Sequence, residues 1–293
     1  MLGASTHSFP PGTLRSIIYP VLSLVIAIVI SGPAGETQSS EARRTPKLSY
    51  LGFDKNLYPG DAALDSLRKT FAFSGYWLNA PPGAASSTWL GKRRLLRAKG
   101  FGFLLLFNGR THAQLKASGS AGDAGRSDGE SAVRIANGEG FPAGSIIFLD
   151  MEEGGRLLRE QRAYLHAWVD AVNRSSHRAG VYCSGIAGRE RGGLEVVTAQ
   201  DIRENSGGRD ITYFVANDQC PPSPGCTLSR NPPAVSASGT AFAQVWQFAQ
   251  SPRRKQLTSQ CAKTYAQDGN CYAPGEILVD VNVALTSDPS RGR

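Results

Sequence analysis

Short apolar runs alternate with amphipathic stretches along most of this chain. Leu48–Phe53 reads as a strand ending at Asp54, and Asp61–Phe71 follows with Ala62, Leu64, Leu67 and Phe71 at helical spacing. Phe73–Leu78 is a second strand, ending at Asn79 before a Pro-Pro-Gly loop, and Thr88–Lys99 is a second helix capped by Ser87 or Thr88. Phe101–Phe107 is a third strand ending at Asn108. A looser Gly/Ser-rich stretch precedes a helix at Ser127–Asn137, which Gly138, Gly140 and Pro142 close. Then comes the most informative segment, Ser145–Leu157. Four apolar residues, Ile146 to Leu149, run into Asp150, Met151, Glu152 and Glu153, and two glycines break the run. Such a run between turn signals reads as a fully buried strand. Leu157–Asn173 is the clearest helix, with Leu158, Tyr164, Leu165, Trp168, Val169 and Val172 near one stripe. Ala179–Cys183 is a fifth strand, followed by a short helical piece at Ala199–Glu204.

The pattern then changes. Ile211–Ala216 and Phe242–Phe248 read as the sixth and seventh strands, and Ile277–Val279 begins an eighth that ends at Asp280. Helices follow only the first five. Strand–helix alternation predicts parallel strands with right-handed crossovers, and eight strands in this length predict a closed barrel. The expected fold is therefore α/β, a TIM-type (β/α) barrel of five βα units followed by three strands with irregular loops. The rival is a doubly wound open sheet. It calls for a glycine-rich phosphate turn after the first strand, and G-F-D-K-N-L-Y-P-G is not one.

Composition adds compartment and polarity. The 293 residues are 41% hydrophobic and 19% charged, with net charge +8, an ordinary globular balance. Basic clusters at Lys92-Arg93-Arg94, Arg253-Arg254-Lys255 and Arg291-Gly292-Arg293 read as solvated surface; no nucleic-acid motif accompanies them. Arg15 precedes a broken apolar run, Ile17–Ile30, too short for a membrane span and suited to a signal-peptide core. Cleavage after Ala34 or after Ala42 fits, and an uncleaved anchor is the alternative. The expected organisation is a signal peptide at 1–34, a linker at 35–46, the barrel domain at 47–287 and a tail at 288–293, in a protein that is secreted or held in the periplasm or cell envelope.

Cysteine usage agrees with export. Cys220 and Cys226 flank P-P-S-P-G, and Cys261 and Cys271 flank a short polar loop. Each pair is expected to close its loop as a disulfide; a four-cysteine zinc site lacks the ligand spacing. Cys183, within an apolar strand, is expected as a buried small hydrophobe.

In a barrel the strand ends carry the chemistry. Those ends supply Asp54, Asn79, Asn108, Asp150 with Glu152, Ser184, Asn217 with Asp218, Gln247, and Asp280 with Asn282. Asp150 and Glu152 share one strand face with Cα atoms roughly 6–7 Å apart, which suits the acid pair of glycosidic cleavage. Asp54 and Asp280 add two carboxylates at the same mouth, and crowding of like charges raises pKa values, the condition a general acid needs. Glu153 points the other way and is expected as a salt-bridge or cap residue. Aromatic residues near strand ends, Tyr76, Trp77, Tyr182 and Trp246, suit either stacking on sugar rings or core packing.

Together G-F-D at 52–54, F-L-D-M-E at 148–152, G-V-Y-C-S at 180–184, V-W-Q-F at 245–248 and V-D-V-N at 279–282 resemble the glycoside hydrolase family 25 lysozymes. They resemble more closely the bacterial glycoside-hydrolase-like group first catalogued as domain of unknown function 1906. The resemblance runs from Tyr50 to Leu285. It implies a barrel of five strand–helix units plus three strands. It also implies cleavage of the β-1,4 bond in peptidoglycan or a related amino-sugar polymer with retention, with Glu152 as general acid and Asp150 assisting by orienting an N-acetyl group. A direct carboxylate nucleophile is the competing mechanism. Asp54 and Asp280 complete the expected catalytic set. Asn79, Trp77, Asn108, Tyr182, Asn217, Trp246 and Gln247 are the expected substrate-binding residues. No cofactor or metal is expected, the partner is a glycan rather than nucleic acid or membrane, and a monomer is the default. The F-V-A-N-D-Q-C block departs from the lysozymes, whose sixth strand is aromatic-rich. Two other functions stay open: a non-catalytic glycan-binding module on the same barrel, and a metal-dependent hydrolase using Asp54, Asp150 and Glu152.

Overall fold

The computed structural model describes residues 49–219, 230–251 and 277–293, all within one compact unit, Arg44–Arg293. The signal-peptide and linker expectations, the basic cluster at 253–255 and both disulfide expectations lie outside the described residues.

Eight strands close a barrel: β1 (Tyr50–Asp54), β2 (Phe73–Trp77), β3 (Gly102–Asn108), β4 (Ile146–Met151), β5 (Arg178–Ser184), β8 (Thr212–Ala216), β9 (Val245–Ala249) and β10 (Asp280–Ala284). Around the barrel the order is β1-β10-β9-β8-β5-β4-β3-β2. A two-stranded hairpin, β6 (Ala187–Arg189) and β7 (Glu195–Val197), stands outside it. Helices follow the first five barrel strands, as the sequence pattern predicts: α1 (Leu64–Arg68), α2 (Arg93–Ala98), α3 (His112–Ala117) with α4 (Ala121–Gly138), α5 (Arg159–Asn173) and α6 (Thr198–Glu204).

Two expectations are corrected. The eighth strand is Asp280–Ala284, not a run ending at Asp280, and it pairs antiparallel with both β9 and β1. The chain leaves β9 and enters β10 at the same end of the barrel, so no crossover helix is needed and the direction reverses. The Gly/Ser-rich stretch before Ser127 is helical from Ala121, with the Ser120 hydroxyl accepting from Asp123 N at 3.2 Å as its cap. Its glycines cost helix propensity, but a Cβ at Gly125 would stand 2.2 Å from Tyr164 O of α5. Close helix contact there outweighs the local preference.

The core has two layers. Outside the sheet, Phe53, Phe71, Trp89 and Phe101, with Tyr76, Phe103 and Phe141, join in tilted and edge-on ring contacts. Inside the barrel, Phe214 meets Phe148 edge-on and Tyr182 at a tilt. Gly180 is paired with Phe148 across β4 and β5, and a Cβ there would meet the Phe148 ring at 2.5 Å; the missing side chain is the room the phenyl occupies. Trp168 and Cys183 are fully buried. The end opposite the acids is closed by the last residues of the chain. Ser290 N donates to Phe103 O, its hydroxyl accepts from Leu105 N, and its carbonyl accepts from Ile146 N. Residues 288–293 thus pack against that end of the barrel. Among the described residues no helix is long and apolar enough to cross a membrane.

Candidate active site

Strand alternation decides which side chains meet at the mouth. Phe148 and Asp150 point into the barrel from β4, and the register sets Asp150 beside Asn108 of β3 and Tyr182 of β5. On β1, Asp54 pairs with Asp280 of β10. Because β10 is antiparallel, its first residue stands where the parallel strands end. Asp54, Asp150, Glu152 and Asp280 therefore line one narrow pocket of about 40 Å³, with Trp77, Leu106 and Phe214 among its other walls.

Each acid has its own surroundings. Asp54 is 5% exposed; its Oδ2 accepts from Asn282 Nδ2 at 2.7 Å and from Gln247 Nε2 at 3.0 Å. Gln247 is oriented in turn by the Tyr182 hydroxyl, which donates to its Oε1 at 2.7 Å, and by Gln250 Nε2 at 3.0 Å. Asp280 accepts from Ser251 N at 2.7 Å. Asp150 is 4% exposed, and its Oδ1 has no hydrogen-bond partner among the described residues, nor has Trp77 Nε1. Glu152 is exposed at the lip.

Burial raises all four carboxyls above their ordinary values. Asp54 is pushed up to about 6, its amide donors opposing the shift and Glu152 adding to it. Asp280 is pushed up to about 8, first by burial and then by the charge of Asp54, with the Ser251 N–H pulling the other way. Asp150 rises well above the carboxylate range, with Glu152 and Asp54 adding to its burial. Glu152, exposed as a residue, is also raised, because its carboxyl group is partly desolvated against the pocket walls. The mouth thus holds protons at neutral pH while Glu152 keeps access to solvent, which is the arrangement for a proton donor beside a second carboxyl group.

The pocket opens on both sides. A hollow of about 330 Å³ toward β3 is bordered by Asn108, Arg110, Gln114 and Gln161 with Asp150, Glu152 and Glu153. Another, of about 260 Å³ toward β5 and β8, is bordered by Glu152, Tyr182, Ser184, Ile186, Ala216 and Gln250. Glu152 is common to all three.

The other expected binding residues divide. Trp77, Tyr182 and Gln247 line the acid pocket, and Asn108 borders the larger hollow. Asn79 instead bonds both main-chain groups of Asn108, joining the ends of β2 and β3. Asn217 donates to Ser238 O, and Trp246 donates to Asn217 O from the strand face opposite Gln247. Tyr76 faces the outer layer and bonds Glu139. Tyr76 and Trp246 lie outside the pocket because neighbouring positions on a strand face opposite ways, whereas Asn79 and Asn217 follow the strand ends and spend their side chains on main-chain groups. Sequence reasoning left Asn282, Gln250 and Asn56 out of the expected binding set. Asn282 was visible in V-D-V-N; Gln250 and Asn56 follow strand ends in loops that carry no pattern. Among the described residues no group of three or more His, Cys, Asp or Glu is placed to hold a metal ion.

Residues 85–205 match the family model of the Rv2525c-like, glycoside hydrolase-like domain. The sequence resemblance agrees with that match, which runs from the loop after β2 through α6 and includes Asp150 and Glu152. A solved structure of an uncharacterized B. stearothermophilus protein is similar with TM-score 0.52 and 19% identity, over 80% of this chain and 95% of that one; it shares the fold. The Mycobacterium tuberculosis Tat-secreted protein Rv2525c, solved with L-tartrate, aligns at TM-score 0.48 and 16% identity, over 81% of this chain and 95% of that one. The Clostridium perfringens spore cortex lytic enzyme SleM aligns at 0.49 and 16%, over 82% and 68%. No curated protein matches the chain.

Proposed function

We propose that this protein is a glycoside hydrolase that cuts β-1,4 bonds in peptidoglycan or a related amino-sugar polymer with retention, after export to the cell envelope or beyond. The observation that carries the reading is the meeting of Asp54, Asp150, Glu152 and Asp280, from three strands, in one pocket flanked by hollows on both sides. A through-going groove suits a chain substrate cut internally, with sugar units on either side of the acids. Its similarity to SleM, a spore cortex lytic enzyme by name, agrees with that substrate class but carries none of the argument.

Glu152, exposed and raised, gives its proton to the leaving oxygen as the glycosidic bond breaks. Asp150 assists from the buried side of the same strand, its unpartnered Oδ1 turned to the substrate's N-acetyl group. Asp54 and Asp280 keep the pocket's charge low by sharing protons, and Asn282, Gln247 and Tyr182 hold Asp54 in place. Electrostatic preorganisation of this kind supplies much of a hydrolase's rate.

The test is reducing-end release from isolated cell walls by the wild-type protein and Glu152→Gln. Release by the wild type, reduced at least about 100-fold in the variant, is the expected result. Equal release by both, or none by either across a panel of glycans, sinks the reading; saturable binding with no product identifies a glycan-binding module instead.

A further inference from the structure

Among the described residues Asp54 and Asp280 are held by hydrogen bonds, whereas the side chains of Asp150 and Glu152 are not; Asp150 at least stands within the sheet, and Glu152 does not. The sheet ladder ends just before it: β4 pairs with β3 as far as Asp150 and with β5 as far as Met151. Beyond it come Gly154 and Gly155, the second with φ +89°. The backbone on either side must therefore set where its carboxyl stands.

Glu153 does this on one side. Its Oε2 accepts from His112 N at 2.8 Å, at the first residue of α3, and from the Nε2 of Gln161 on α5 at 2.5 Å. Gln161 is 4% exposed, and its Oε1 is already fixed by Leu158 N at 2.9 Å. One carboxylate thus ties the loop after β4 to two helices. The charge suits the α3 N-terminus, where main-chain N–H groups lack helical partners. Glu152 and Glu153 are adjacent and both border the larger hollow, so anchoring the Glu153 carboxylate to α3 and α5 fixes the backbone from which Glu152 projects.

We infer that Glu153 is a positioning residue for Glu152, resting on the reading of Glu152 as the proton donor. It touches no reacting atom; its carboxylate sets the direction in which its neighbour faces. Displacing a reacting group by about 1 Å costs on the order of 100-fold in rate, so a loosened loop lowers turnover far more than binding.

The experiment compares wild type, Glu153→Ala and Glu153→Gln on soluble peptidoglycan fragments, and follows amide hydrogen exchange at residues 152–155 without substrate. Glu153→Ala is expected to lower kcat about tenfold or more with KM within about twofold, and to speed exchange in that loop. Glu153→Gln, whose amide oxygen still accepts from both donors, restores most of the loss. Unchanged kcat and exchange in Glu153→Ala overturn the inference. A Glu153→Gln variant as poor as Glu153→Ala also overturns it, because charge would then matter rather than placement. If the wild type releases no product, the glycosidase reading fails by itself, and the exchange data still decide whether Glu153 holds the loop.

Discussion

Replacing Asp280 by Asn should stabilise this protein, and more so as the pH rises. Asp280 is held at about 8, against an ordinary 3.8, first by burial and then by the charge of Asp54 across the β1–β10 pair. The unfolded chain loses this proton near pH 4 and the folded protein near pH 8. Between those values the folded state binds more protons than the unfolded one, so stability falls as the pH rises through the window and levels off above it. At about 1.4 kcal/mol per tenfold change in proton affinity the full difference is several kcal/mol. Sharing of protons with Asp54 and screening at the pocket mouth reduce that to about 1–3 kcal/mol. Asparagine removes the charge and keeps an oxygen for Ser251 N. The assay is thermal unfolding of wild type and Asp280→Asn at pH 5, 6.5 and 8. The gap in Tm should widen with pH to about 3–10 °C at pH 8, at roughly 2–4 °C per kcal/mol for a domain of this size. A variant less stable than wild type at pH 8, or a gap that does not change with pH, refutes the reasoning. Loss of activity alongside the gain in stability is the exchange expected where acids are crowded for chemistry.

Other perturbations test the frame around the site. Asp201, 3% exposed on α6, accepts from Leu157 N at 3.0 Å and faces Arg156 and Arg162; Asp201→Ala should cost about 2–3 kcal/mol in chemical denaturation, because it leaves the buried Leu157 N–H and Arg162 without their acceptor, while Arg156 keeps Glu190. Gly180→Ala should cost about 1–3 kcal/mol by driving a methyl into the Phe148 ring, and a Phe148→Leu change should recover part of that if the clash is the cause. Hydrolysis should fall on the alkaline side as Glu152 gives up its proton, with the midpoint of the kcat profile above the ordinary glutamate value because burial raises it; a rate that keeps rising through that range argues against an acid at this position. Asn282→Ala should lower the wall-degrading rate by removing the 2.7 Å donor to Asp54, whereas Asn79→Ala should act through stability, since among the described residues its side chain bonds only Asn108.

The apolar runs, with acids or amides at their ends, were enough to place seven of the eight barrel strands and the five helix-bearing connections. They also marked Asp54, Asp150, Glu152 and Asp280, because a buried strand has few reasons to end on a carboxylate. Asp280 reached the mouth by another route than expected: strand direction depends on where the chain returns to the sheet, which no local pattern records. Local composition likewise understated α4, whose glycines make sense only against Tyr164 of the neighbouring helix. Trp246 and Gln247, adjacent in sequence, show what alternation leaves open until the barrel closes. One packs outside the wall and the other holds Asp54. The residue types and their spacing determined that this chain would gather acids at strand ends. Closure of the barrel decided which of them share a pocket, which is desolvated, and that the Glu153 carboxylate is held by α3 and α5, since those depend on groups far apart in sequence coming within a few ångströms.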